Sequence, residues 1–244
     1  MVGPLKKAPE GFTHLLVAID KFAKWIEAKP ITTIDSKEAV KFFLEIDYRF
    51  DVPNSITDNG TNFTGHYFQE FAEGYGIRID WASVGNLRTN GQVERANSLI
   101  LQGLKPHIFY MLKKFAGRWV EELPAVLWSL RTTPNRSTRL TPFFLTYGSE
   151  AVLHSDLDYG APRVKDFDPE TAAEAQRDAM KVLEEARLPT LHRSARYQQT
   201  LRRYHKWRIR ERMLQVANLV LRWVMSTKDK HKLSLPWEGP YSIT

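Results

Sequence analysis

Two segments whose acids, Asp58 and Glu94, have 35 residues between them constrain this chain more than any other feature. The first is Ser55-Ile56-Thr57-Asp58-Asn59-Gly60-Thr61-Asn62-Phe63, a short apolar run closed by a carboxylate. The second is Asn90-Gly91-Gln92-Val93-Glu94-Arg95-Ala96-Asn97, where a carboxylate opens a helix. The interval has room for one helix and one strand, enough for the backbone to return and bring Asp58 and Glu94 together. Asn62 to Gly74 reads as that helix, with Phe63, Phe68, Phe71 and Ala72 inward, and Ile77-Arg78-Ile79-Asp80-Trp81 as an alternating strand. Converging carboxylates suit a hard divalent cation, which takes oxygen ligands, and a pair of such ions about 4 Å apart serves phosphodiester chemistry. Each segment also has a plainer reading. Asp-Asn-Gly makes turns in any loop, and an acid in a first helical turn behind an Asn cap is favoured by the helix macrodipole.

The flanking sequence supplies an α/β frame. His14-Leu15-Leu16-Val17-Ala18-Ile19 and Ala23 to Ala28 read as neighbouring strands joined by a turn at Asp20-Lys21-Phe22. Ser36 is read as the cap of a helix to about Tyr48, striped by Ala39, Val40, Phe43 and Leu44. After the second acidic segment, Val93, Ala96, Ile100 and Leu104 recur at helical spacing and face the sheet. Glu94, Ser98 and Lys105 then lie on another face, with Asn97 at the border. Lys105 there is either solvated or in reach of DNA. Pro106 bends or ends this helix, Glu122 to about Arg131 forms a further one, and Trp128 reads as core. From about Asp156 to Pro169 the chain turns acidic and Pro-containing, as linkers do.

Charge is distributed unevenly. The formal net charge is +7, yet Arg187 to Lys232 holds thirteen Lys plus Arg against Glu211 and Asp229, which leaves the rest of the chain at −4. Helical composition from Thr171 continues past Pro189 to about Met213. Tyr197, Tyr204 and Trp207 interleave there with Arg202, Arg203, Lys206, Arg208 and Arg210, the pattern of a surface that neutralises phosphates and stacks bases. A solvated helix face is the plainer alternative. With no cysteine, disulfides and thiolate zinc sites are excluded, so no zinc is expected. No run approaches the roughly 20 apolar residues of a membrane span.

In its two acidic segments the chain resembles the catalytic core of retroviral and retrotransposon integrases, most closely those of plant gypsy-group long-terminal-repeat elements. That family carries its second metal-binding Asp in an Asp-Asn-Gly motif, matched by Asp58, and its third acid in Asn-Gly-Gln-x-Glu, matched by Glu94. The likeness continues through Trp128-Ser129-Leu130-Arg131-Thr132-Thr133-Pro134, Thr141-Pro142-Phe143, Tyr147-Gly148 and Trp237-Glu238-Gly239-Pro240-Tyr241. It implies an RNase-H-like α/β core, a mixed sheet flanked by helices, over residues 1–148. A linker over 149–170, a basic helical arm over 171–213 and an incomplete small β-barrel over 214–244 follow.

The function implied is DNA integration, meaning metal-dependent processing of element ends and transfer of the 3′-hydroxyl to target phosphodiesters. Asp58 and Glu94 are then the catalytic residues and the ligands of Mg²⁺ or Mn²⁺. Asn62 matches a DNA-contacting position that helix capping would equally explain, and Asn97, Lys105 and the arm join it as nucleic-acid contacts. DNA is the partner, no membrane is involved, and the resemblance adds self-association and action in the nucleus. Two departures matter. The family's first metal-binding Asp falls immediately before Met1, so a metal site short of one carboxylate and an impaired reaction are expected; Asp20 matches a non-catalytic position. Asn86-Leu87-Arg88 stands where relatives usually have His-Pro. Alternatives are a non-catalytic DNA-binding remnant of a retroelement and a metal-dependent nuclease of the same fold.

Overall fold

The computed structural model describes residues 1–58, 63, 65–81, 91–109, 116–166, 168–208, 215–223 and 237–243. Two compact units divide the chain, Met1–Arg196 and Tyr197–Thr244. In the first unit, the consecutive residues Leu15 and Leu16 are both fully buried. Successive side chains of a strand point to opposite faces, so a strand that buries two in a row must be covered on both sides. The strand is β1 (His14–Ile19), paired antiparallel with β2 (Ile26–Ile31) and bridged on its other edge by Val2.

One face is covered by α1 (Ser36–Phe50) and α2 (His66–Gly74). Leu16 and Ile31 pack there with Val40, Phe43, Phe68 and Phe71. The opposite face belongs to α3 (Gly91–Phe109) and α4 (Trp119–Thr132), where Leu15 and Ile26 meet Ala96, Ile100, Leu104, Leu123 and Leu127. A second ladder pairs β3 (Ser55–Asp58) in parallel with β4 (Arg78–Trp81), opposing Asp58 to Trp81, and its Ile56 joins the α1/α2 cluster. Antiparallel and parallel ladders between helical layers make the mixed α/β arrangement expected of an RNase-H-like core. Among the described residues the two ladders are not joined by hydrogen bonds into one sheet.

Several boundaries differ from the sequence reading. Ser36 is the first residue of α1 rather than its cap; Asp35 holds the cap position in extended conformation. A helical Ser36 cannot cap its own helix, and its hydroxyl lies against Gly65, where an added Cβ would meet it at 2.3 Å. The α2 helix begins at His66, not Asn62. Helix α3 continues through Pro106 to Phe109. The stretch read as a linker contains the short helices α6 (His154–Asp158) and α7 (Pro162–Lys165), the former begun by Asp156, which accepts from the Leu153 N–H at 2.8 Å.

The long α8 (Pro169–Arg208), which passes through Pro189, docks onto α5 (Pro142–Tyr147). Leu183 is buried with Ala23, Trp25 and Leu145. Gly148, at φ 78, closes α5 where a Cβ would stand 2.9 Å from the Ala179 carbonyl, so both its conformation and its bareness are required. In the second unit β5 (Leu219–Trp223) pairs antiparallel with β6 (Trp237–Ser242), the single ladder described there; the strands of a complete barrel are not among the described residues.

A buried ionic cluster joins β2, α1 and α4. Glu27, 7% exposed, accepts from the Trp25 indole at 2.8 Å, from Arg49 at 3.2 Å and from Arg131 at 3.0 Å. Arg131 also donates to the Ile26 carbonyl at 2.9 Å and lies 4.4 Å over the Trp25 ring. Burial lowers the Arg131 pKa, and Glu27 opposes that shift. Glu27→Ala, which strands the Arg131 charge, is expected to cost about 3 kcal/mol or more of unfolding free energy in a denaturant titration. An apolar replacement of both partners should recover much of that loss.

Asp47 of α1 is buried with neither carboxylate oxygen hydrogen-bonded, and burial, followed by the nearby Asp51, raises its pKa. A raised carboxylate pKa means that the folded state binds the proton more tightly, so stability falls as pH rises through the folded value. Asp47→Asn should therefore raise the melting temperature at pH 7, with the gain shrinking as the pH is lowered toward the ordinary carboxylate range.

Candidate catalytic face and nucleic-acid interface

The turn between β1 and β2 organises the ends of the two acid-bearing segments. Asp20 accepts from the Phe22 N–H at 3.0 Å and from the Ala23 N–H through the same oxygen. Its own N–H donates to the Trp25 carbonyl at 2.9 Å, and its carbonyl accepts from Lys24 at 3.1 Å. This is a side-chain-closed turn, and it explains an Asp at this position without a metal.

From the turn, Lys21 donates to the Thr57 hydroxyl at 2.8 Å and Lys24 to the Gln92 side-chain oxygen at 3.0 Å. Thr57 immediately precedes Asp58, and Gln92 stands two residues before Glu94. One short turn is thus tied both to the end of β3 and to the start of α3. A cavity of about 650 Å³ opens beside it, lined by Ile19, Lys21, Thr57, Gln92 and Val93.

The α3 face is divided as its periodicity requires. Ala96, Ile100 and Leu104 are buried, and Glu94, Ser98 and Lys105 are exposed. The Ser98 hydroxyl donates to the Glu94 carbonyl at 3.0 Å, which leaves the Glu94 carboxylate outside that bond. Asn97 is half-buried, and its side-chain oxygen is buried without a hydrogen-bond partner. Asp58 is the last residue of β3; its side chain, the whole of Asn62 and the loop with Asn86-Leu87-Arg88 lie outside the described residues. Among the described residues no group of three His, Asp or Glu could hold a metal ion.

On α8, Arg202 and Arg203 are exposed, and Trp207 is 85% exposed on the same helix. The side chains of Lys206 and Arg208, and Arg210 altogether, lie outside the described residues. Lys21, Lys24 and Gln92 escaped the sequence reading as site residues. The available signal was a pair of lysines bracketing a turn between two apolar strands, and nothing in spacing says that one of them is buried.

An antiparallel and a parallel ladder packed with helices, with an acid closing β3 and another exposed at the head of α3, make an RNase-H-like core. The Integrase core domain family matches residues 2–86. The Pol polyprotein of Radiation murine leukemia virus (strain Kaplan) is 30% identical over 238 residues, covering 96% of this chain. The Gag-Pol polyprotein of Avian reticuloendotheliosis virus is 28% identical over 238 residues, covering 97% of it. The chain spans 38% and 19% of the lengths of these two relatives.

Among solved structures, the simian T-cell lymphotropic virus intasome in complex with PP2A regulatory subunit B56 gamma contains a chain similar at TM-score 0.52 and 21% identity, over 61% of this chain and 53% of that one. The HTLV-2 integrase catalytic core domain in complex with magnesium is similar at TM-score 0.45 and 23% identity, over 54% of this chain and 83% of that one. The fold is that of an integrase catalytic core. The chain is similar over nearly its whole length to these retroviral Pol polyproteins, and its residues 2–86 are similar to the Integrase core domain.

Proposed function

We propose that this chain is the integrase portion of a gypsy-group long-terminal-repeat retrotransposon, working on DNA as a multimer in the nucleus. The reaction is metal-dependent transfer of a DNA 3′-hydroxyl to a target phosphodiester, with Asp58 and Glu94 as catalytic acids. The observation that carries this reading is the shared turn, because Lys21–Thr57 and Lys24–Gln92 tether both acid-bearing segments to one rigid point. The gypsy-group assignment rests on the Gly239-Pro240-Tyr241 sequence in β6, together with the two acidic motifs.

The donor chemistry fits a hard cation: an Asp at a strand end and a Glu exposed on a first helical turn are oxygen ligands. Asp58 and Glu94 would hold Mg²⁺ or Mn²⁺, which when bound supplies Lewis-acid polarisation of a phosphodiester. The chain's own residues do the rest. The exposed Lys105, on the Glu94 face of α3, meets a phosphate, and the half-buried Asn97 borders that contact face. Asn62, Arg202, Arg203, Lys206, Arg208 and Arg210 supply further DNA contacts, and the open face of Trp207 stacks a base.

The decisive assay incubates the purified chain with an element-end oligonucleotide, target DNA and Mn²⁺, then separates joined from merely cut products. Joining that falls about a thousandfold or more in Glu94→Gln and in Asp58→Asn, with DNA binding retained, is the expected result. Cut but never joined DNA points to a nuclease. DNA binding with neither product points to a non-catalytic role. A second version carrying one Asp before Met1 measures how much the family's first carboxylate adds.

The arm is tested separately by fluorescence anisotropy. Replacing Arg202 and Arg203 by Gln should weaken binding to any DNA sequence and lower the slope of log affinity against log salt by about two. Trp207→Ala should cost about 1 kcal/mol or more on single-stranded DNA, with less effect on duplex.

A further inference from the structure

Lys24 is 7% exposed, and a buried ammonium is tolerated only where its donors are used. Its side chain donates to the Lys21 carbonyl and to Gln92 on α3, and Asp20 on the same turn supplies opposite charge. The turn that carries it is closed by its own hydrogen bonds. Lys24 has a left-handed backbone, φ 62, and its N–H donates to Asp20 at 3.1 Å. The next residue, Trp25, packs edge-on against Phe50 and Tyr147 and beneath Arg131. Gln92 is therefore tied to an anchored point, and releasing it would leave a buried charge short of a partner, which costs more than an ordinary exposed hydrogen bond. The Lys21–Thr57 bond is exposed and weaker, but it holds the other segment to the same turn.

We propose that Lys24 is a positioning residue, supported by Lys21, that sets the distance between the end of β3 and the start of α3 and so the spacing of Asp58 and Glu94. The proposal rests on reading those two acids as a pair. Its mechanism is mechanical rather than electrostatic, and the two have opposite signs. Removing a cation from beside a cation site should tighten metal binding on Coulomb grounds. Loosening the carrier of one ligand should weaken it.

The test uses Lys24→Met, which keeps the stem and removes the charge, and Gln92→Leu, which removes the acceptor, each checked by thermal melting. Hydrogen exchange is followed at the amides of Arg95 to Ser98, and Mn²⁺ binding by calorimetry. Exchange about tenfold faster at those amides in both variants is expected, with the double variant no faster than either single one. Mn²⁺ affinity should fall several-fold. If Lys24→Met fails to fold, Gln92→Leu carries the test alone. Unchanged exchange in a folded variant overturns the proposal whatever the metal does, and so does tighter Mn²⁺ binding. A wild-type chain that binds no Mn²⁺ sinks the reading of Asp58 and Glu94 as a cation site, while the exchange data still decide whether Lys24 holds α3.

Discussion

The Glu27 carboxylate is the point on which the layers of the core converge. It belongs to β2, its two arginine partners come from α1 and α4, and those helices lie on opposite faces of the β1–β2 ladder. Apolar packing alone would let the two helical layers slide, because the hydrophobic effect has no direction. A buried carboxylate between two guanidinium groups has direction, and Arg131 adds a second fixed contact by reaching the Ile26 carbonyl. The Arg49 side chain is half-exposed and its contribution is screened. The Glu27–Arg131 pair therefore carries most of the constraint. It also orients Trp25, which anchors the turn that reaches β3 and α3, so the geometry of the candidate site descends from a salt bridge several residues away.

The layered architecture was legible because it follows from local periodicity. The successive apolar residues of β1, the stripe of α1 and the spacing of Ala96, Ile100 and Leu104 each name a buried face without reference to the rest of the chain. The acids were singled out on other grounds: their motifs match those of a known family, while each alone also suits a turn or a helix start. Contacts distant in sequence were not legible. Arg131 lies 105 residues from Ile26, and no periodicity links them. Ser36 and Asp35 are both residue types that favour caps, so composition alone does not say which of them starts α1. The burial of Lys24 was not legible either, because a charged residue beside a turn is usually exposed.

Docking of α8 draws a line through the segment that composition marked as a single arm. Leu183 and Thr190 are buried, and Arg193 reaches the Thr138 carbonyl at 3.3 Å. The first half of the helix is therefore part of the first unit's core. The exposed Arg202, Arg203 and Trp207 follow only after this docked portion. The same helix that completes the cover over Trp25 thus continues as the most basic element of the chain. A Pro at position 189 does not interrupt it.

That division has an electrostatic logic. Outside Arg187 to Lys232 the chain is net negative, and the acids proposed to hold a cation lie in that part. Carboxylates attract divalent ions best where few fixed positive charges compete, yet a net-negative surface repels the phosphate backbone it must act on. Concentrating eleven net positive charges in a separate stretch resolves the conflict. On the proposed function, one part of the sequence would neutralise phosphates and another would hold the cation. Lys24 is the instructive case, a positive charge far from the acids in sequence that the fold bonds to the segment carrying Glu94. Its burial and its bonds to Lys21 and Gln92 commit it to structure, so that it spends its charge on holding the site rather than on competing for it.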